Sequence, residues 1–264
     1  MNTFIHISDL HYGREIANLE DKLVKQLDNL KPDLIIISGD ITQRATKQEF
    51  IKAKAFLDRL KFPYILIPGN HDLPVFRVLE RFFNPWKNWC KYISTELEPL
   101  IEGDGYTAVG INTARRLGWY FDWSRGRISH QQIKRAEEIF KNNPDTNLRL
   151  LVAHHPFWLP KAYESRNLIG RRDEAITALD KVGVDIILSG HIHLAYHKLY
   201  SGIIISHAGT TLSNRLLKNQ PNSFNVMNGD RKNLSIENWE YKEDSFAPVK
   251  KQSFHREKGE WHET

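Results

Sequence analysis

The chain has 264 residues, a formal net charge of +5 and an isoelectric point near 9.1. Its single cysteine excludes an intrachain disulfide, and no apolar run approaches the ~20 residues that span a bilayer. Hydrophobic residues make up 41% of the chain and charged residues 26%, which is typical of a globular protein. The basic surplus is dispersed, but it favours an anionic partner, such as a phosphorylated metabolite, a nucleic acid or a membrane surface. We expect a cytoplasmic protein.

Short apolar runs alternate with helix-like stretches in the first part of the chain. Residues 3–8, 34–38 and 64–67 have the composition of buried strands. Helices are predicted between them, at residues 18–30 and 46–60, the first from its leucine spacing. This order predicts an α/β layer structure with right-handed crossovers.

The segment 74–100 interrupts this alternation with a basic, aromatic-rich sequence, for which we predict a helical cap or lid. Two interpretations stay open. The aromatic side chains pack on the body of the protein, or they cover the cleft and contact a lipid headgroup at the inner face of a membrane. The aromatic residues of this segment are Phe76, Phe82, Phe83, Trp86, Trp89 and Tyr92.

The second half of the chain contains more strands than helices. Helices are predicted at 129–141 and 173–182, the first from a capping box formed by Ser129 and Gln132. Strands are predicted at 106–111, 148–153, 184–188, 195–200, 203–206, 224–227 and 234–241. We therefore expect one domain, residues 1–243, in which two packed mixed sheets are flanked by helices as a four-layer αββα sandwich. Residues 244–264 are charged and poorly patterned, so a loose tail is predicted there.

Five strand-like runs end in side chains that bind metals or transfer protons. In chain order they end in Asp9-Leu10-His11, Gly39-Asp40, Gly69-Asn70-His71-Asp72, His154-His155-Pro156 and Gly190-His191-Ile192-His193. Ligands of open α/β sheets bind beyond the carboxyl ends of the strands, so these ends would form one cleft. Each motif alone is compatible with an ordinary turn, but the set in this order indicates a metal site.

The order of these motifs resembles the calcineurin-like metallophosphoesterase superfamily. HISDLH, PGNHD, AHHP and GHIH are similar to the class III cyclic-nucleotide phosphodiesterase group. Residues 208–225 also resemble a Gly-Thr…Arg…Pro-Asn-Ser-Phe-Asn stretch of many bacterial members, in which Arg215 is expected to fix a loop. The resemblance implies two divalent metal ions that share Asp40. One would be held by Asp9, His11, Asp40 and His193, and the other by Asp40, Asn70, His154 and His191.

The predicted chemistry follows from the charge of such a site. Two divalent ions carry more positive charge than two carboxylates neutralise, so a phosphate ester is attracted. We expect a metal-bridging hydroxide as nucleophile, no phosphoenzyme intermediate, and Mn, Fe, Zn or Co as the metal. His71 is the candidate that stabilises the developing charge or protonates the leaving oxygen, and Asp72 the candidate that orients a neighbouring group. Arg115, Arg116 and His207 are candidates for substrate binding.

The first functional hypothesis is a phosphodiesterase that acts on 3′,5′-cyclic nucleotides. The alternative is a pyrophosphatase that cleaves a lipid-linked nucleotide, such as UDP-2,3-diacylglucosamine, with segment 74–100 against the membrane. A nuclease and a stable complex with nucleic acid are less favoured, because the sequence shows no added nucleic-acid-binding domain. A non-catalytic scaffold is also less favoured, because every expected ligand position is filled.

Overall fold

The structure, a computed structural model, describes residues 1–75, 77–116 and 124–264. Its strands are β1 (Asn2–Ile7), β2 (Leu34–Ile37), β3 (Tyr64–Leu66), β4 (Leu100–Gly103), β5 (Tyr106–Ile111), β6 (Leu148–Ala153), β7 (Ile186–Ser189), β8 (Tyr196–Tyr200), β9 (Ile203–His207), β10 (Ser223–Gly229), β11 (Asn233–Lys242), β12 (Ser245–Glu257) and β13 (Glu260–Glu263). Its α-helices are α1 (Leu19–Leu30), α2 (Lys47–Leu57), α3 (Val78–Phe83), α4 (Lys87–Tyr92), α5 (His130–Lys141) and α6 (Arg172–Lys181).

The strands form two sheets. The first has the order β13-β12-β11-β10-β1-β2-β3, and the second has the order β4-β5-β6-β7-β9-β8. Strands β1, β2 and β3 are parallel to one another, as are β5, β6, β7 and β9. The carboxyl ends of these parallel strands carry the motifs that the sequence singled out.

The two sheets pack face to face, and helices cover their outer faces. The cluster between the sheets includes Phe4, Ile36, Ile65, Val152 and Leu188, all fully buried. Helices α1 and α2 pack on the outer face of the first sheet, and α5 and α6 on that of the second. The predicted four-layer αββα sandwich is therefore confirmed.

Two of the four helices that flank the sheets, α2 and α5, begin where the sequence supplies side-chain caps. The Thr46 hydroxyl accepts a hydrogen bond from the backbone N–H of Glu49 at the start of α2, and the Glu49 carboxylate accepts one in return. Ser129 and Gln132 form the same reciprocal arrangement at the start of α5, as predicted. These caps satisfy backbone donors that have no partner within the helix.

The prediction of a loose tail is wrong. Strand β12 pairs with β11 along its length, and β13 pairs with β12, so the chain end extends the first sheet. Phe254 and Trp261 from these strands are buried between the two sheets. The charged residues that suggested a tail lie on the exposed face and edge of the added strands, which is where an edge strand carries charge.

Segment 74–100 contains the predicted helices, here α3 and α4. Trp89 is buried and packs edge-on against Phe50 of α2, which anchors α4 to the body of the protein. Leu79 and Phe83 are exposed, and Phe76 lies outside the described residues. None of the helices in the described ranges combines the length and the apolar character that crossing a membrane requires.

Candidate metal centre

The carboxyl ends of β1, β2, β3, β6 and β7 meet at one edge of the sandwich and bring the predicted side chains together. Asp9 and His11 follow β1, Asp40 follows β2, and Asn70 lies in a 3₁₀ turn after β3. The remaining predicted ligands follow the strands of the second sheet and are His154, His191 and His193. The edge of the sandwich therefore holds all seven predicted metal ligands.

One group of ligand atoms is formed by Asp9, His11 and His193. The Asp9 Oδ1 atom lies 3.2 Å from His193 Nε2 and 3.5 Å from His11 Nε2. The two Nε2 atoms of His11 and His193 are 3.1 Å apart. Asp9 Oδ1 is buried and has no hydrogen-bond donor among the described residues.

A second group is formed by Asp40, Asn70, His154 and His191. Asn70 Oδ1 lies 3.2 Å from His154 Nε2 and 3.0 Å from His191 Nδ1. Asp40 Oδ2 lies 3.2 Å from His154 Nε2 and 3.9 Å from His11 Nε2 of the first group. Asp40 thus lies between the two groups, where the sequence predicted a shared ligand.

Hydrogen bonds to backbone carbonyls define which imidazole nitrogens face this cluster without a proton. His154 Nδ1–H donates to the carbonyl oxygen of Ser38 (2.8 Å), and His193 Nδ1–H donates to that of Arg215 (2.6 Å). Because a carbonyl oxygen only accepts, the single proton of each neutral ring must be on Nδ1, and Nε2 then carries a lone pair. These lone pairs point at the oxygens of Asp9 and Asp40, so acceptors face acceptors. The donor set fits a cation.

The pKa shifts of the clustered imidazoles and of Asp40 also indicate that a positive charge is favourable at this site. Burial lowers the pKa of His11 to about 4 and that of His191 to about 3, so both rings are neutral and keep lone pairs at neutral pH. Burial alone would raise the pKa of Asp40, but His154 and the other imidazoles hold it well below its usual range. Burial also disfavours charge on His154, yet the Asp40 carboxylate raises its pKa to about 9. A proton on His154 therefore takes the place of a cation.

Backbone strain is present at most of the ligands. Five of them have left-handed backbone angles, with φ from 46° to 75°: Asp9, His11, Asp40, His191 and His193. This region is sparsely populated by residues other than glycine, and such strain clusters at functional sites. Gly69 permits the close approach of the loops, because a Cβ there would overlap the Asp40 carboxylate. The loops adopt unfavourable backbone angles that bring the ligand side chains together.

His71 lies at the mouth of a cleft of about 240 Å³ above the cluster. Its Nδ1–H donates to the carbonyl oxygen of Gln43 (2.8 Å), which turns Nε2 toward the cleft. Arg215 Nη1 lies 2.9 Å from this Nε2 atom and donates to it. The cleft is lined by Asp40, Asn70, His71, Ser124, Ser165, Arg166, Asn167, His191, His193 and Arg215.

Asp72, predicted with His71 as a candidate catalytic residue that orients a neighbouring group, does not line the cleft. Its buried carboxylate accepts hydrogen bonds from the backbone N–H groups of Thr42 (2.8 Å) and Gly69 (2.8 Å). Burial and the nearby Asp40 charge raise the pKa of Asp72 to about 7. Asp72 is a positioning residue that ties the Asp40 loop to the Asn70 turn.

His155 packs against His154 and His191, but both of its ring nitrogens form hydrogen bonds with groups outside the cluster. Its Nε2–H donates to the carbonyl oxygen of Ser124 (2.8 Å), and its Nδ1 accepts from the Thr113 hydroxyl (2.7 Å). Burial lowers the pKa of His155 well below its usual value, so the ring is neutral. Of the adjacent pair, only His154 has a nitrogen free for a metal, which agrees with the sequence-based choice.

The predicted substrate contacts are not in the cleft. His207 is fully buried at the end of β9 and stacks on Tyr196 of the neighbouring strand β8. Arg115 lines a neighbouring cavity, and Arg116 is not among the residues that line the cleft. Arg215 is the cleft residue that the sequence reasoning missed as a functional group. The family resemblance of residues 208–225 includes Arg215 but predicts for it only a role in fixing a loop.

Comparisons with known proteins agree with this geometry. A family model described as calcineurin-like phosphoesterase matches residues 3–195. A protein of Colwellia psychrerythraea named "Probable cyclic nucleotide phosphodiesterase" is 33% identical over 198 residues, which cover 72% of this chain and 67% of that protein. A protein of Arcobacter nitrofigilis named "Probable glycerophosphodiester phosphodiesterase" is 27% identical over 219 residues, which cover 78% of this chain and 77% of that protein.

The same fold is found in a dimetal phosphatase from Danio rerio. The two structures superpose with a TM-score of 0.67 at 12% identity, over 96% of this chain and 98% of the other. The predicted enzyme class, a metal-dependent phosphoester hydrolase, is confirmed by the family and by its phosphodiesterase relatives. Since the family model covers more than half of the residues and spans all five motifs, the chain belongs to the calcineurin-like phosphoesterase family.

Proposed function

We propose that this protein is a dinuclear metal-dependent phosphodiesterase and that 3′,5′-cyclic nucleotides are its substrate class. The observation that carries the proposal is the convergence of bare acceptor atoms from seven buried or half-buried side chains. One metal ion would be held by Asp9, His11, Asp40 and His193, and the other by Asp40, Asn70, His154 and His191. Mn, Fe, Zn and Co all suit this mixture of nitrogen and oxygen ligands.

The two cations would polarise the phosphoryl group and lower the pKa of an attacking water molecule. The residues around them provide the rest of the chemistry. Arg215 at the mouth of the cleft can donate two hydrogen bonds to phosphate oxygens, which orients the substrate and balances its charge. Its present contact with His71 Nε2 is replaced when a phosphate group is bound.

Once Arg215 has moved to the phosphate, His71 Nε2 would take up a proton from water, and the resulting imidazolium would donate that proton to the leaving oxygen. The Gln43 carbonyl holds the ring through Nδ1–H, so Nε2 is the nitrogen that faces the substrate. The backbone N–H of His71 donates to Asp40 Oδ1 (2.8 Å), which fixes the position of the ring relative to the cluster. A held ring with one nitrogen toward the cleft is the arrangement that general acid catalysis requires.

The choice of cyclic nucleotides rests on the relatives and on the small cleft. A relative named for cyclic nucleotides reaches 33% identity, and one named for glycerophosphodiesters reaches 27%. Glycerophosphodiesters are therefore the second candidate. Neither the relatives described above nor the cleft supports the lipid-linked nucleotide that was considered as an alternative.

The test compares metal-stripped protein with protein reloaded with Mn²⁺. The substrates are 3′,5′-cyclic AMP, glycerophosphocholine and bis(4-nitrophenyl) phosphate. We expect Mn²⁺-dependent turnover of the aryl diester and of cyclic AMP, with a higher kcat/KM for cyclic AMP than for glycerophosphocholine. The reverse preference would replace the proposed substrate, and the absence of metal-dependent turnover of all three would overturn the proposed activity.

A further inference from the structure

A chain of buried polar side chains leads from the interior of the sandwich to the metal ligand Asp9. His6 lies in β1, Ser8 directly follows that strand, and Ser38 directly follows the neighbouring strand β2. Side chains two positions apart along a strand lie on the same face, which places His6 and Ser8 on one side of β1. All three side chains are fully buried. His6, Ser38 and Ser8 are called here the donor relay.

The direction of each hydrogen bond in the donor relay follows from its end at a carboxylate. Ser8 Oγ lies 2.7 Å from Asp9 Oδ2, and because a carboxylate oxygen only accepts, the Ser8 hydroxyl donates. Ser8 Oγ in turn accepts from the Ser38 hydroxyl (2.9 Å). Ser38 Oγ has then used its own proton and accepts from His6 Nε2–H (2.8 Å). All three donors therefore point towards Asp9.

The environment of His6 indicates that its Nε2–H group is the reason for a histidine at this position. Burial lowers the pKa of His6 to about 3, so the ring is neutral and carries its single proton on Nε2. Its Nδ1 atom is buried and meets no donor among the described residues. A buried acceptor without a donor opposes folding, and an apolar side chain such as those of Phe4 and Ile36 between the sheets would avoid that cost. Packing alone therefore does not account for His6.

The donor relay determines which oxygen of Asp9 is left for a cation. Asp9 Oδ2 accepts from the Ser8 hydroxyl and from the backbone N–H of His191 (2.9 Å), so two donors hold it. Asp9 Oδ1 has no donor among the described residues and lies 3.2 Å from His193 Nε2. Gly190 makes room for this arrangement, because a Cβ atom there would overlap Ser8 Oγ and Asp9 Oδ2. The carboxylate is thus fixed with Oδ1 towards the cluster.

We propose that His6, Ser38 and Ser8 are positioning residues that hold Asp9 Oδ1 towards the first metal ion through a one-directional relay of hydrogen bonds. This inference rests on the proposed function, and it adds to that site three residues that contact neither the metal ions nor the substrate. Aligned donors also stabilise the negative charge of Asp9, since each hydrogen bond polarises the next. Hydrogen bonds that orient a metal ligand typically change metal affinity by about 10- to 100-fold. The donor relay would therefore set the affinity for the first metal ion.

The experiment measures Co²⁺ binding to the metal-stripped full-length protein by isothermal titration calorimetry. The wild type should show two binding steps, and Asn70→Ala, which removes a ligand of the second metal ion, identifies the step that belongs to Asp9. Ser8→Ala should weaken that step by about tenfold and leave the other nearly unchanged. Ser38→Ala, one hydrogen bond further from Asp9, should weaken the same step less.

Two variants of His6 distinguish a donor from a packed ring. His6→Leu should weaken the step that belongs to Asp9 by about threefold, because the Ser38 hydroxyl is then free to rotate away from Ser8. His6→Gln should restore the affinity, since its amide nitrogen can take the place of Nε2. A merely structural role would lower the free energy of unfolding of the metal-free protein, measured in urea, and leave the Co²⁺ affinity unchanged.

The second sheet offers a matched control. His197 Nδ1 and Ser206 Oγ form a second histidine–serine pair (3.0 Å), and in the part of the chain that the structure describes no hydrogen bond links this pair to a metal ligand. Ser206→Ala and His197→Leu should therefore leave both binding steps unchanged.

The outcomes separate the donor relay from the proposed function. A wild type that binds no Co²⁺ would count against the proposed function as well. Two steps in the wild type, with the same affinities in Ser8→Ala and His6→Leu, would overturn the donor relay alone. So would an equal weakening in Ser206→Ala, because any lost buried hydroxyl would then have the same effect. If Ser8→Ala does not fold, Ser38→Ala and the His6 variants decide, and a His6→Gln variant as weak as His6→Leu would overturn the role of His6 as a donor.

Discussion

Asp40 and Asp185 are both buried carboxylates, and they lie at opposite ends of the sandwich. Asp40 follows the carboxyl end of β2, whereas Asp185 directly precedes β7. Asp185 accepts hydrogen bonds from the backbone N–H of Arg149 (2.8 Å) and from Trp261 Nε1–H (3.1 Å), and it pairs with Arg256. Asp40 Oδ2 instead faces the Nε2 atom of His154 at 3.2 Å, a contact that is favourable only with a proton or a cation between the two atoms.

The comparison shows that burial of a charge does not by itself indicate a functional site. Asp185 is surrounded by donors that belong to the protein, so its environment is complete without a ligand. Asp40 Oδ1 accepts from the backbone N–H of His71 (2.8 Å), but its Oδ2 faces only imidazole nitrogens, which need a proton or a cation between them and the carboxylate, and its backbone has a left-handed φ of 52°. A buried acid is compatible with folding when donors meet it, and it indicates a cation when acceptors do.

The largest effect should come from Asp40→Asn, which tests whether Asp40 is shared by two metals. We expect kcat/KM for bis(4-nitrophenyl) phosphate to fall by at least ~10³-fold, because the variant loses the charge that holds both ions and hence the metal chemistry. Metal content per chain, measured by mass spectrometry, should fall in parallel. The matched control is Asp185→Asn, an identical change in a buried acid, which should keep its metal. Full activity in Asp40→Asn would mean that Asp40 is not a shared metal ligand and does not differ in role from Asp185.

A second prediction concerns the far end of the sandwich, where Trp261 donates to Asp185 and fills the space between the sheets. Trp261→Ala should lower the free energy of unfolding by about 3 kcal/mol, the cost of removing a large buried aromatic side chain. Urea unfolding measures it, with His262→Ala at the adjacent exposed position as control. A loss under about 1 kcal/mol would mean that the last strand is as loose as its composition suggested.

His71→Ala should affect the reaction and leave the cluster of acceptors complete. We expect both metals to stay bound and kcat on 3′,5′-cyclic AMP to fall by about 10²-fold, because the leaving alkoxide needs a proton. The loss should be smaller for bis(4-nitrophenyl) phosphate, whose leaving group is stable as an anion. His130→Ala, at an exposed histidine, is the control. Equal losses on both substrates would exclude His71 as the general acid.

The sequence was sufficient to predict the layers, because they depend on short-range signals, and to predict that the candidate ligands lie together at one edge of the sandwich. Strand runs that end in Asp, Asn or His specify where those side chains emerge, and parallel strands bring their ends together. The left-handed backbone at His11 and His193 was not predictable, since it results from loops that meet across the sandwich. Arg215 meets His71 over 144 positions of sequence, so no local pattern indicated the contact.

The wrong predictions share a physical cause, which is that composition does not determine pairing. The chain end is charged, yet β12 finds a partner in the unpaired edge of β11. His207 ends an apolar strand, but its side chain is buried against Tyr196 of the neighbouring strand. Arg115 follows β5 on the predicted side, and only the position of the neighbouring segment 124–127 decides which cavity it lines.

The smallest predicted effect separates the two buried acids most directly. Asp185→Asn should lower the free energy of unfolding by about 2 kcal/mol, because one oxygen that accepted hydrogen bonds becomes a donor and leaves buried donors without a partner. Burial raises the pKa of Asp185, which means that the buried carboxylate charge itself opposes folding. Removing that charge recovers part of the stability, so the decrease in the free energy of unfolding stays small. The kcat of the folded variant and its metal content should equal those of the wild type. A variant that lost metal while remaining folded would show that the two ends of the sandwich are coupled. In that case a buried acid surrounded by donors could no longer be assigned to structure alone.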